Sequence, residues 1–201
     1  MELFTMESSA LYDLVKGGIV ASGKDKTLPI LNSVKFEVRE PLVRVVSTDR
    51  YRLVIGDVNL PEGTLMETGE FLLPLDSAKD LVKSLPSKAN SGMVTVELSD
   101  DSKYVSFTYD GGDGKWNREY LLLTGDFVKY ESIMPKEFVD TQEIGFNPAL
   151  MADIAKLPTD KKTAVVMRFT GIHKPMVGTI QGTNGVSWTY LLMPMRLEQG
   201  E

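Results

Sequence analysis

Cysteine is absent from the 201 residues, and histidine occurs once, as His173. The first absence excludes a disulfide framework and any thiolate metal site, and it fits a reducing cytoplasm. The second leaves His173, in the stretch GIHKP, without a nucleophile and carboxylate spaced around it, so it reads as a turn residue. No apolar run approaches the roughly 20 residues that span a bilayer. The opening, MELFTMESSALYD, lacks the basic start and apolar stretch of a signal peptide. A soluble cytoplasmic protein with no membrane partner is expected. Excess basic charge is also missing, since 22 Lys and Arg against 28 Asp and Glu give −6. A general cationic coat for nucleic acid is therefore excluded, and any phosphate contact is confined to a local patch. GKDKT and GGDGKW lack the Gly-Lys-Ser/Thr ending of a phosphate loop, and Asp110 and Asp113 lack EF-hand spacing. No catalytic set, metal site or cofactor is expected, and the chain does not read as an enzyme.

What is present is a repeat. FTMESSALYDLVK from Phe4, FLLPLDSAKDLVK from Phe71 and IGFNPALMADIAK from Ile144 share one pattern: an apolar strand, a helix start, then Asp, two aliphatic residues and Lys. Ser, Pro and Asn at these starts suit free helix N–H groups or a first helical turn, as in Asn147-Pro148. After each helix come three alternating apolar and polar stretches. Breaks such as GGDG at 111–114 and NG at 184–185 predict antiparallel hairpins. The repeating unit is β-α-β-β-β, used three times, with the linker VKYESIMPKEFVDT after the second.

Each helix is expected to cover its own strands with Leu11, Leu14 and Val15, or Leu81, Val82 and Leu85, or Leu150, Ile154 and Leu157. Asp13, Asp80 and Asp153 each stand three residues before Lys16, Lys83 and Lys156, which predicts solvated charge pairs on the helix surfaces.

The words LPILNSVKFEV (28–38), STDRYRL (47–53), GFNPALMADIAKL (145–157) and the terminal YLLMPMRL (190–197) resemble the bacterial DNA polymerase III beta subunit family, the sliding clamps. The resemblance implies an α+β DNA-clamp (processivity) fold, with antiparallel sheets outside and helices facing a central hole. It implies a non-enzymatic factor that encircles duplex DNA as a homo-oligomeric ring, with a clamp loader, a DNA polymerase and other carriers of clamp-binding motifs as partners. Residues 1–138 resemble the family's middle domain, and 139–201 the last half of its third. Twelve units per family ring then imply four copies of a three-unit chain, and so short a version suggests a phage-type genome.

The family's groove for short linear peptides maps here onto Leu31, Thr48, Tyr51, Arg52, Leu53, Val128, Ile133, Asn147, Leu150, Leu191, Met193, Pro194, Met195 and Arg196. The linker departs from the pattern: DFVKYESI lacks a proline after the phenylalanine and the basic residues that follow. Methionine is adaptable enough for several related peptides, although Met193 and Met195 also suit an ordinary core. Lys16, Lys79, Lys83, Lys88, Lys156, Lys161 and Lys162 are the candidates for a wall facing DNA, and each also suits a merely solvating role. The alternative is an adaptor or decoy that keeps the groove and captures clamp-binding peptides without forming a ring.

Overall fold

Strand β1 (Glu2–Glu7) passes without a loop into helix α1 (Ser8–Gly18), and β5 (Gly69–Pro74) passes in the same way into α2 (Leu75–Ser84). In this computed structural model, which describes residues 1–25, 27–136 and 144–196, that tight join decides the topology. A helix leaving directly from a strand carries the chain off the sheet, so the next hairpin is free to pair elsewhere. The first unit continues with β2 (Ser33–Arg39), β3 (Leu42–Thr48) and β4 (Arg52–Asn59), the second with β6 (Gly92–Leu98), β7 (Tyr104–Gly111) and β8 (Gly114–Leu121). β1 pairs with β6 of the second unit, and β5 pairs with β2 of the first. The leading strands are thus exchanged. This corrects the expectation that each helix covers a sheet made only of its own unit, because alternation fixes which face a strand buries but not which partner it takes.

The third unit departs further. Its expected leading strand is reduced to one bridge, Gly145 to Met195, and its helix α3 spans only Pro148–Ala152 before tightening into a 3-10 turn at Asp153–Lys156. Asn147 caps α3 by accepting from the Ala149 N–H at 2.9 Å, with Pro148 in the first turn, as the sequence suggested, whereas α1 and α2 start after Glu7 and Pro74 without a side-chain cap, against the expectation from their Ser and Pro residues. No α3 side chain is fully buried, so little packing exists to lengthen the helix. Strands β9 (Val165–Arg168), β10 (Met176–Gln181) and β11 (Ser187–Leu192) follow. The NG turn joins the last two with both residues at positive φ, 52° for Asn184 and 75° for Gly185, as a two-residue hairpin of this type requires. β11 pairs with β4 over Ser187–Asp57 to Leu192–Arg52. The result is a four-stranded antiparallel sheet, β1-β6-β7-β8, and a seven-stranded one, β5-β2-β3-β4-β11-β10-β9. The expected boundary between residues 138 and 139 lies outside the described residues.

Helices α1 and α2 lie on the inner faces of the sheets, where one cluster joins Leu11, Leu14, Val15, Phe36, Val54, Leu81, Phe107, Trp188 and Tyr190. α1 is enclosed on nearly every side, and only Lys16 along it is fully exposed. The pair predicted between Asp13 and Lys16 does not form. Asp13 is buried and accepts from Thr183 Oγ1 at 2.5 Å and Asn184 Nδ2 at 2.6 Å, which ties α1 to the β10–β11 turn. Asp80 likewise accepts from the Tyr120 hydroxyl at 2.9 Å, and only Asp153 pairs with its lysine, Lys156.

Trp188 fills the space between α1 and β4, against Gly17 and Gly56, and donates its indole N–H to the Pro158 carbonyl at 3.1 Å. A Cβ at Gly17 or Gly56 would come within 2.0 or 2.3 Å of an indole carbon, far inside contact distance. Gly17→Ala is therefore expected to cost about 1–3 kcal/mol through overpacking. Urea unfolding should show a lowered midpoint, and an unchanged midpoint would mean that Trp188 does not rest on α1.

Candidate peptide groove and lysine face

The β3–β4 turn, STDRYRL, is built to project Tyr51. Arg50 takes positive φ, Thr48 Oγ1 donates to the Arg52 carbonyl at 2.7 Å, and Asp49 accepts from the Tyr51 and Arg52 N–H groups, both at 3.1 Å. Tyr51 is left 61% exposed. The chain leaving β11 meets this turn, where the Met193 N–H donates to the Tyr51 carbonyl at 3.1 Å and the Met195 N–H to the Gly145 carbonyl at 2.8 Å. Met193 and Met195, 40% and 53% exposed, are not core filler.

Two cavities flank this junction. One, of about 330 Å³, includes Leu31, Asp49, Tyr51 and Arg52 in its lining. The other, of about 280 Å³, is lined by Met193, Pro194, Met195 and Arg196 together with Ile172 and His173. Sequence reasoning missed Ile172 and gave His173 no part beyond a turn. The available signal was register, since Met176 lies opposite Leu192, which puts the loop before β10 beside the tail after β11.

On the outer face of the long sheet, Leu53 and Leu191 are paired and buried with Val46, Ile55 and Val177. Phe127, Tyr130 and Met134 of the linker pack over them, while the expected lining residues Val128 and Ile133 point to solvent. Tyr130 donates to Glu37 at 3.0 Å and accepts from Arg44 at 3.4 Å, and Arg44 makes a two-pronged bond to Asp57 at 2.7 and 2.9 Å. Burial raises the Tyr130 phenol above its ordinary range; Glu37 adds to the rise, Arg44 opposes it, and the hydroxyl stays a donor. Leu53 and Leu191 thus form a floor that the chain already covers. Thr48 and Asn147 spend their side chains on the turn and the helix cap, and half-buried Leu150 packs on the core, its carbonyl accepting from Tyr190 at 2.7 Å.

Arg52 is buried and bonds Asp49 and Asp153, fastening the start of β4 to the turn after α3. Burial works against both charges. For Asp153 the hydrogen bonds from Lys156 and Arg52 outweigh it and hold the carboxyl below the usual range; for Arg52 the bonds to Asp153 and Tyr190 keep the guanidinium charged. All seven candidate lysines are exposed. Lys16 lies over the Tyr12 ring at 5.0 Å, Lys79 sits 3.6 Å from Asp76, and Lys156 pairs with Asp153. Lys16, Lys79, Lys83 and Lys156 stand on the helical elements, which pack on the sheet faces opposite the linker. Among the described residues no cluster of three or more His, Asp or Glu is placed to hold a metal, and no helix is long and apolar enough to cross a membrane.

A family model for the central domain of the DNA polymerase III beta subunit matches residues 5–115, more than half the chain. The chain belongs to the DNA polymerase III beta subunit family. The beta sliding clamp of Micrococcus luteus is 27% identical over 168 residues, covering 83% of this chain and 52% of that protein. The chain spans about half the length of the curated relatives it matches. A beta subunit structure from Eubacterium rectale superposes with a TM-score of 0.80 at 14% identity, covering 96% of this chain and 65% of that one. The Pseudomonas aeruginosa sliding clamp bound to griselimycin gives 0.78 at 16%, with the same coverage. At these identities the likeness establishes the clamp fold and nothing finer.

Because the Asp153 carboxyl is held low, its contribution is present above the unfolded carboxylate pKa of about 4 and is lost as pH falls through the lower folded value. Asp153→Asn should cost about 1–3 kcal/mol at pH 7. In urea titrations that difference should shrink below the ordinary carboxylate range; a cost that stays constant down to pH 2 would remove the ion pair from the account.

Proposed function

We propose that the chain acts as a sliding-clamp processivity factor without enzymatic activity, holding duplex DNA topologically within an oligomeric ring and tethering a polymerase through a peptide groove. The observation that carries the proposal is the exposure of Met193 and Met195 where the tail meets the Tyr51 turn. Apolar side chains left open between two cavities, beside a half-buried proline, suit short peptides that exchange. A ring holds DNA by closure and needs only weak attraction at its wall, which reconciles a net charge of −6 with seven exposed lysines on and after the helices. Loader and polymerase follow from the same proposal, as does a cytoplasmic setting, and the count of repeat units makes four copies the expected ring.

One feature favours the second reading, an adaptor that captures such peptides without closing a ring: α1 contributes a single exposed lysine to the wall.

Two measurements test these proposals. Met193→Glu combined with Tyr51→Ala alters only exposed groups and should weaken a fluorescent clamp-binding peptide by about 10- to 100-fold, the value of one lost apolar anchor. Unchanged affinity would displace the groove. Leu53 is unsuitable for this test, because a charge at a buried floor position would disturb the fold itself. Native mass spectrometry at micromolar concentration should give a closed oligomer that stays on circular plasmid and is lost when the plasmid is cut. A stable monomer that still binds peptide would establish the adaptor instead.

A further inference from the structure

A separate cavity of about 420 Å³ is lined by Val58 and Leu60 at the end of β4, Met6 of β1, Met93 of β6 and Asn184 of the β10–β11 turn, so all three repeat units contribute to it. The β4–β11 register puts the candidate groove at the Arg52–Leu192 end of this pair and the cavity at the Asp57–Ser187 end, roughly 17 Å of strand away. Its volume is that of a small-molecule site, and most of its wall is apolar.

The polar part is the start of α1. Glu7 precedes the helix without a capping side-chain bond, and Ser9 and Ala10 of the first turn, where helical N–H groups lack partners within the helix, line the cavity. Ser9 is 2% exposed, and its hydroxyl has no hydrogen-bond partner. The neighbouring Ser8 hydroxyl, also unpartnered, is sealed from solvent, whereas the small open part of Ser9 includes its oxygen. A buried hydroxyl left unpaired costs free energy, which an acceptor placed in the cavity would recover. Other polar groups of the lining are already committed. Thr5 shares a hydrogen bond with Thr95 at 2.8 Å, Thr64 donates to the Pro61 carbonyl at 2.7 Å, and Asn184 donates to Asp13 at 2.6 Å.

The helix dipole by itself would favour an anion here. Glu7 opposes one, because its carboxylate lines the same cavity, where it accepts from the Asn90 N–H at 3.2 Å. Among the described residues no Lys, Arg or His lines the cavity, and of the undescribed positions only Lys26 is cationic. No aromatic side chain lines it among the described residues either, so a nucleobase would find no stacking surface. We propose that this cavity binds a small uncharged molecule with an apolar body and a carbonyl oxygen, the oxygen accepting from the Ser9 hydroxyl at the start of α1.

The test uses benzamide, its anionic counterpart benzoate and its apolar counterpart toluene, each titrated into the full chain labelled at its methionine methyl groups. In NMR spectra Met6 and Met93 report on this cavity, and Met193 and Met195 on the groove. Benzamide should shift Met6 and Met93 saturably and leave Met193 and Met195 unmoved, with benzoate and toluene each binding at least about fivefold more weakly, the scale of one hydrogen bond. Ser9→Ala removes an unpaired hydroxyl and suits a helix, so it should weaken benzamide about fivefold and leave toluene unchanged. If benzamide moves none of the four methyl groups, or only Met193 and Met195, the site is refuted. Toluene binding as tightly as benzamide, or Ser9→Ala leaving benzamide unchanged, would deny the hydroxyl its role and overturn the proposal. Benzoate binding more tightly than benzamide would make the helix start an anion site and overturn it equally.

Discussion

The indole of Trp188 is the contact on which the arrangement turns. It reaches from the last strand of the third unit into the first, against the Cβ-less surfaces of Gly17 and Gly56, and closes its own polar end on Pro158. A buried tryptophan of this kind contributes several kcal/mol, and its shape allows one depth of insertion. With that depth fixed, β11 lies along β4 in a single register, and the buried Asp13 locks the neighbouring turn through Thr183 and Asn184. The consequence reaches the candidate groove: Met193 emerges beside Tyr51, and the tail cavity opens next to the cavity lined by Leu31.

The two faces of the long sheet carry different work because β-strand side chains alternate. Val54, Trp188 and Tyr190 point inward to the helices, whereas Leu53, Ile55 and Leu191 point outward and would form an exposed apolar stripe. The linker covers that stripe, with Tyr130 bound to Glu37 and Arg44 as its polar fastening. Candidate groove positions therefore divide into a covered floor and an open rim. The open positions are Tyr51, Val128, Ile133, Met193 and Met195, the exposed members of the candidate set.

Much of the fold was legible in advance. The threefold pattern marked the helices, the nine strands after them and both hairpin turns, since Asn184-Gly185 has local chemistry that needs no tertiary information. Pairing was not legible. Nothing in FTMESS or FLLPLD says that their strands are exchanged between units, because either partner satisfies the same alternation. The charge of Asp13 was misread for a related reason. Helical spacing places Lys16 within reach, but burial beneath the third unit offered two donors that no local pattern reports. In the site, the methionines and Tyr51 were found from their words, while Ile172 enters the cavity only through long-range register.

The sequence by itself determined the periodicities, the Asn147 cap, the Asn184-Gly185 turn and the family, all properties of residues near one another in the chain. Tertiary structure alone decided which edges meet, which carboxylates lose their solvent, and which of the tail's neighbours share a cavity with it. The reason is physical: a strand's hydrogen-bonding edge is the same backbone whatever its side chains, so choosing among edges falls to shape, here the fit of one indole against two glycines.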